Sequence, residues 1–145
     1  MSKESFVQEQ FRVFKAKNQL YGNSFNESLD KWGDIAYAVR AEDKLKRISQ
    51  LTSGKDLTNA LEVVSDESLQ DTVKDLFNYT AMMDAYALNK NVYDSMRNMV
   101  NNYNNLEIYL FEGYGRRFDY LLDRDNPKDR DLFNRILMIL NTLIQ

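Results

Sequence analysis

The chain contains neither cysteine nor histidine. The first absence excludes disulfides, thiolate nucleophiles and sulfur-built zinc sites. The second excludes catalytic triads, imidazole general acids or bases and imidazole metal ligands. Any catalysis must come from carboxylates, amines, hydroxyls or a bound metal. Proline occurs once and glycine five times in 145 residues, which is little punctuation and fits long helices joined by short turns. No apolar run approaches the roughly 20 residues that span a bilayer. The opening Met1-Ser2-Lys3-Glu4-Ser5-Phe6 lacks the apolar stretch of a secretory signal, so a cytoplasmic protein with no membrane partner is expected. A net charge of −3 gives no global attraction to nucleic acid, and no direct nucleic-acid partner is expected. What remains suits one all-α domain over residues 1–145: 43% hydrophobic residues for a core and 28% charged residues for its surface.

Apolar spacing predicts a compact bundle of about five helices. The first runs from Ser5 to Leu20 on Val7, Phe11 and Phe14, with Gly22 ending it in a cap conformation. Phe25 to Gly33 is expected to be irregular or a short helical turn. The second helix fits Asp34 to Thr52, with Ile35, Val39, Leu45, Ile48 and Leu51 inward. Lys55 to Val64 is read as a connection with a turn near Leu57 to Leu61. Ser65 is the expected N-cap of the third helix, which buries Leu69, Val73, Leu76, Thr80, Met83 and Ala87. The fourth runs unbroken from Val92 to Glu112, through the asparagine-rich stretch Asn98 to Asn105. Gly113 to Arg117 is a hinge or turn, and Arg116 to Leu122 resumes helix. Asn126 with Pro127 marks the start of the last helix. Its wide apolar face, Leu132 to Ile144, is either deeply buried or covered by another subunit, and favours a homodimer over a monomer. Strand-like alternation and internal repeats are not evident.

Two charge rows carry the chemistry. On the third helix Glu67, Asp71 and Asp75 follow at four-residue steps, with Asn78 three residues further on, so all share one stripe. Like charges at this spacing cost about 0.2–0.5 kcal/mol per pair, which a cation or a basic neighbour must offset. A hard cation such as Mg2+ suits a ligand set made only of oxygen. On the second helix Arg40, Lys44 and Arg47 share a face. That row either pairs with the carboxylates or holds phosphate. The alternative for the acidic row is an ordinary solvated face with acids near a helix start. Lys17 to Phe25, a helix exit rich in hydrogen-bonding groups including Tyr21, either contributes to a ligand site or is an ordinary capped end.

The order Lys17-x-x-x-Tyr21-Gly22-x-Ser24-Phe25, then Asp43-Lys44-Leu45-x-Arg47-Ile48, then Asp66-Glu67-Ser68-x-x-Asp71-Thr72-x-x-Asp75-Leu76-x-Asn78-Tyr79 resembles the nucleotide modification associated domain 1 family of small phage and prophage proteins. The resemblance covers roughly residues 10–88, with residues 90–145 as a helical extension. More distantly it is similar to the all-α MazG and dimeric dUTPase pyrophosphohydrolases, which bind Mg2+ through carboxylates of two helices. Their Glu-x-x-Glu is absent from the second helix, which offers Glu42 and Asp43, and the nearest match to their Glu-x-x-Asp is Glu67-x-x-x-Asp71. The resemblance implies a nucleotide or nucleotide-derived ligand. Its enzymatic version is an Mg2+-dependent nucleoside triphosphate pyrophosphohydrolase, with Glu67, Asp71 and Asp75 as metal ligands and catalytic groups. Lys44 and Arg47, with Lys17 and Arg40, would meet phosphate, while Tyr21 and Asn78 orient sugar or base. The rivals are sequestration of a nucleotide without cleavage, and a protein-interaction module inhibiting a host enzyme through the last helix and the stretch Tyr103 to Tyr120.

Overall fold

The computed structural model describes residues 1–113 and 121–145. Among them the chain forms helices only: α1 (Lys3–Tyr21), α2 (Ser24–Trp32), α3 (Ile35–Thr52), α4 (Ala60–Ser65), α5 (Glu67–Leu88), α6 (Val92–Asn101), α7 (Asn104–Glu112) and α8 (Pro127–Leu143). The all-α expectation holds; the count of about five does not, because three breaks and short helices intervene. Phe25 and Leu29, one turn apart, are both buried and give the segment after Gly22 an apolar side, so it becomes α2 instead of an irregular turn. Asn59 accepts a hydrogen bond from the Leu61 amide and starts α4, so the helical turn falls at Ala60–Ser65 and not at Leu57 to Leu61. The expected fourth helix is two. Asn102 is extended, and its side chain accepts from the Asn104 amide, offering the backbone an alternative to the helical ladder. The expected helical turn at Arg116 to Leu122 falls largely outside the described residues, as does most of the turn at Gly113 to Arg117.

One apolar core draws on all eight described helices. α5 is its centre, packing against α1, α3, α4, α6, α7 and α8. Leu69, Val73, Leu76, Thr80 and Met83 are buried as their spacing predicts, and Ala87 is half-buried. α3 runs antiparallel to α5, since Tyr37 meets Thr80, Arg40 meets Tyr79 and Lys44 meets Asp75. The inward face of α3 is rotated from the expected one. Ala36, Tyr37, Ala38 and Ala41 face the core with Leu45 and Ile48, while Ile35 and Val39 are exposed. Alanines let the two backbones approach closely, and the Tyr37 hydroxyl shares a 2.9 Å hydrogen bond with Thr80 Oγ1 in the interior. Burial pushes the Tyr37 phenol well above its usual value. Leu20, near the end of α1, is exposed. The apolar face of α8 packs on α3, α4 and α5 of the same chain, with Phe133, Ile136, Ile139 and Leu140 buried. The surface from which a homodimer was expected is therefore used internally. No described helix is long and apolar enough to cross a membrane.

The polar side chains that α5 buries are nearly all paired. Thr72 donates to the Ser68 carbonyl, and Thr80 meets the Leu76 carbonyl and Tyr37. The fully buried Asp84 accepts from Ser95 Oγ at 2.8 Å and from the Tyr109 hydroxyl at 3.2 Å, with Lys90 Nζ 3.8 Å away. Asp66, not Ser65, is the N-cap of α5: Ser65 ends α4, and Asp66 Oδ1 accepts from the Leu69 amide at 2.9 Å. Lys55 pairs with the other oxygen.

The Lys55 ammonium, then the Leu69 amide, hold the Asp66 carboxyl below its ordinary value. A lowered folded-state pKa stabilises the fold above the unfolded carboxyl value, and that contribution is lost as pH falls through the folded one. Asp66→Ala is expected to cost about 1 kcal/mol at neutral pH, the usual worth of an N-cap. Urea denaturation should show this difference shrinking as the pH is lowered through the carboxyl range. A difference independent of pH would contradict the assignment.

Candidate functional site

The C-terminal half of α1, the start of α2, one face of α3 and the middle of α5 enclose a cavity of about 230 Å³. α1 contributes Phe14, Lys17, Asn18 and Tyr21; α2 contributes Ser24 and Phe25; α3 contributes Arg40; α5 contributes Asp75, Asn78, Tyr79 and Met82. Helical repeat explains the set. Phe14, Lys17 and Tyr21 stand at three- and four-residue steps on α1, and Asp75, Asn78, Tyr79 and Met82 do the same on α5. Gly22, with φ +66° and ψ −160°, occupies a backbone region that side chains disfavour, and so turns the chain between α1 and α2 at the cavity rim.

Beside the acidic group, the wall is aromatic and cationic together. The Arg40 guanidinium carbon lies 5.1 Å from the centre of the Phe25 ring and 5.6 Å from that of Tyr79, and the two rings are 5.3 Å apart. Arg40 Nη1 donates to the Ala36 carbonyl at 3.3 Å, and among the described residues no carboxylate pairs with it. Asp75 behaves differently. Lys17 Nζ lies 3.5 Å from Oδ1 and Lys44 Nζ 3.2 Å from Oδ2, so one carboxylate serves two ammonium groups. Two lining cations, Lys17 and Arg40, face the single carboxylate, and Lys44 flanks it. The Lys17 side chain is 56% exposed, so this arm of the bridge adds little stability and is free to swing.

A second, more polar cavity of about 340 Å³ adjoins the first and shares Lys17, Asp75 and Asn78 with it. Gln10, Asp71 and Lys74 line its other side. At its back, Asn78 Nδ2 donates to Gln10 Oε1 at 3.1 Å.

Of the expected site residues, Lys17, Tyr21, Arg40, Asp75 and Asn78 come together around the first cavity. Lys44 stands at its edge through Asp75, Asp71 borders the second cavity, and Glu67 and Arg47 are exposed outside both. Asn18 belongs to the Lys17 to Phe25 stretch offered for a ligand site, whereas Phe14, Met82 and Gln10 were not expected. Gln10 had a legible signal, because it falls at the helical step between Val7 and Phe14 and so on the apolar stripe of α1.

The carboxylate row does not gather as a metal centre. Residues 67 and 75 of one straight helix stand about 12 Å apart along its axis, whereas Mg2+ binds oxygen at about 2 Å. Sharing a stripe therefore does not mean sharing an ion. The one carboxylate in the first cavity has both oxygens on ammonium groups, and no group of three acidic side chains among the described residues is placed to hold a metal.

No family model matches the chain, and neither a curated protein nor a solved structure is similar to it. The likeness to the nucleotide modification associated domain 1 family thus rests on the quoted residues, of which Lys17, Tyr21, Ser24, Phe25, Asp75, Asn78 and Tyr79 line the first cavity.

Arg40→Lys keeps the charge but loses the planar group set against two adjoining rings. It is expected to lower stability by about 0.5–1 kcal/mol, read as a small drop in the urea midpoint. An unchanged midpoint would show that the stacking contributes nothing.

Proposed function

We propose that this protein binds a nucleotide or nucleotide-derived molecule in the cavity between α1, α2, α3 and α5. The observation that carries the proposal is the juxtaposition, in the first cavity, of aromatic rings with two cations, Lys17 and Arg40, against one carboxylate. The second cavity instead sets Glu9, Asp71 and Asp75 against Lys17 and Lys74. A nucleobase needs flat apolar surface, which Phe14, Phe25 and Tyr79 offer, and a polar edge, which Asn78 offers. Phosphate needs cations without competing carboxylates, and Arg40 meets that description. Lys17, on the longer arm of the Asp75 bridge, is the cation that turns to an incoming phosphate. The first cavity is somewhat smaller than the ~300–1,000 Å³ usual for cofactor-sized ligands, so such a ligand extends into the second one past Lys17.

Binding without cleavage fits these residues better than hydrolysis. A hydrolase of the pyrophosphohydrolase kind needs metal-held water, and the carboxylate nearest the ligand is occupied by Lys17 and Lys44. The role we propose is therefore sequestration of a nucleotide signal or substrate. A second proposal, a protein-interaction module, draws on Trp32, Ile35 and Val39, apolar side chains left more than half exposed around the α2–α3 junction.

A thermal-shift panel of nucleoside mono-, di- and triphosphates, with and without Mg2+, separates these. At a concentration near 100 times its Kd, a ligand specific for the folded state adds about 2.7 kcal/mol. That corresponds to a rise of roughly 5–10 °C for a chain of this size. The rise is expected without Mg2+ and without turnover. Mg2+-dependent cleavage that Asp71→Ala and Asp75→Ala both abolish would reinstate the hydrolase. No shift with any nucleotide would favour the interaction module.

A further inference from the structure

Among the described residues, three buried side-chain polar atoms have no partner in the protein: Gln10 Nε2, Asn78 Oδ1 and Glu62 Oε2. Two of them belong to one amide pair. Asn78 donates to Gln10 Oε1, and this single bond leaves the Gln10 amide hydrogens and the Asn78 carbonyl unmatched. Exchanging N and O in both side chains gives the same count, one donor group and one acceptor left over, so the conclusion does not depend on amide orientation. Gln10 is 2% and Asn78 7% exposed, which puts both groups where an unmade hydrogen bond is costly. The other polar side chains buried by α5 all have partners.

This orphaned pair is also where the two cavities meet, since Asn78 lines both and Gln10 lines the larger. We propose that Gln10 and Asn78 are the specificity-determining pair of the site, reading a ligand edge that carries a hydrogen-bond acceptor beside a donor. Heterocyclic bases present such an edge, whereas a bare polyphosphate does not. The proposal rests on the nucleotide reading of the cavity. It explains why two amides occupy buried positions, Gln10 on the apolar stripe of α1 and Asn78 facing it from α5, where hydrophobic side chains would pack without unmatched atoms. Discrimination of this kind is strong, because a ligand lacking the edge leaves buried groups unpaired.

The test uses Gln10→Met/Asn78→Leu, which keeps volume roughly constant and removes both amides. Replacing both partners by apolar groups of similar shape is close to neutral, so this variant should melt near or above the wild type. Its affinity by calorimetry for the best-bound nucleotide should fall about 10- to 100-fold, the equivalent of one or two lost hydrogen bonds. Inorganic tripolyphosphate, which has no base edge, should bind both proteins alike. Should the double variant not fold, Gln10→Met alone should still lose about 10-fold for the nucleotide and nothing for tripolyphosphate. A folded variant with unchanged nucleotide affinity would overturn the assignment while leaving the binding site intact. Equal losses for nucleotide and tripolyphosphate would make the pair a structural support. A wild type that binds tripolyphosphate but no nucleotide would refute base reading together with the nucleotide proposal.

Discussion

The burial of α5 on nearly all sides is the constraint on which the rest of the structure depends. It touches all seven of the other described helices, so the polar side chains it buries cannot rely on water. Each must find a partner inside the protein, since an unpaired buried group costs about as much as several good contacts return. Thr80 finds Tyr37 on α3, and Asp84 finds Ser95 on α6 and Tyr109 on α7. These bonds tie α5 to its neighbours in one register. Tyr37 packs edge-on against Tyr109, so the α3 and α7 contacts to α5 are themselves in contact. A slip of α3 against α5 would break Tyr37–Thr80 and Lys44–Asp75 together.

The cavity lies along the flank of α5 that α1, α2 and α3 share. There the α5 side chains change character, from buried apolar groups to Asp75, Asn78 and Tyr79, which are met by basic and aromatic residues. Two kinds of interaction divide the work. The half-buried Asp75 bridges carry modest energy and yield readily. Arg40 is half-buried against Phe25 and Tyr79, and the Gln10–Asn78 bond is buried. Lys17, the most exposed member of the Asp75 bridges, stands where the two cavities share a wall.

Much of this was legible in the sequence, and the exceptions have physical causes. α1, α5 and α8 follow from apolar spacing, and the start of α8 also from Asn126 and Pro127. The inward face of α3 was misjudged because Ala36, Ala38 and Ala41 carry little hydrophobic signal, yet small size is what lets α3 approach α5. Ile35 and Val39 looked like core and are exposed. The break at Asn102 was hidden by apolar spacing that continues across it, while the side-chain bond to Asn104 that causes it leaves no such trace. At the site, helical steps rightly placed Lys17 and Tyr21 on one edge of α1, and Asp75 and Asn78 on one edge of α5. The same steps grouped Glu67 and Asp71 with them, because an angular pattern ignores the rise along the axis. The amide pair was invisible as a pair, since nothing in the chain says that position 10 faces position 78.

The central claim is that a nucleotide occupies the cleft beside α5. Titration of isotope-labelled protein with individual nucleoside triphosphates, followed through backbone amide NMR signals, tests it most directly. The account predicts saturable shifts concentrated at Lys17, Ser24, Phe25, Arg40, Asn78 and Tyr79. Shifts gathered on α6 to α8, or spectra unmoved by every nucleotide, would contradict it.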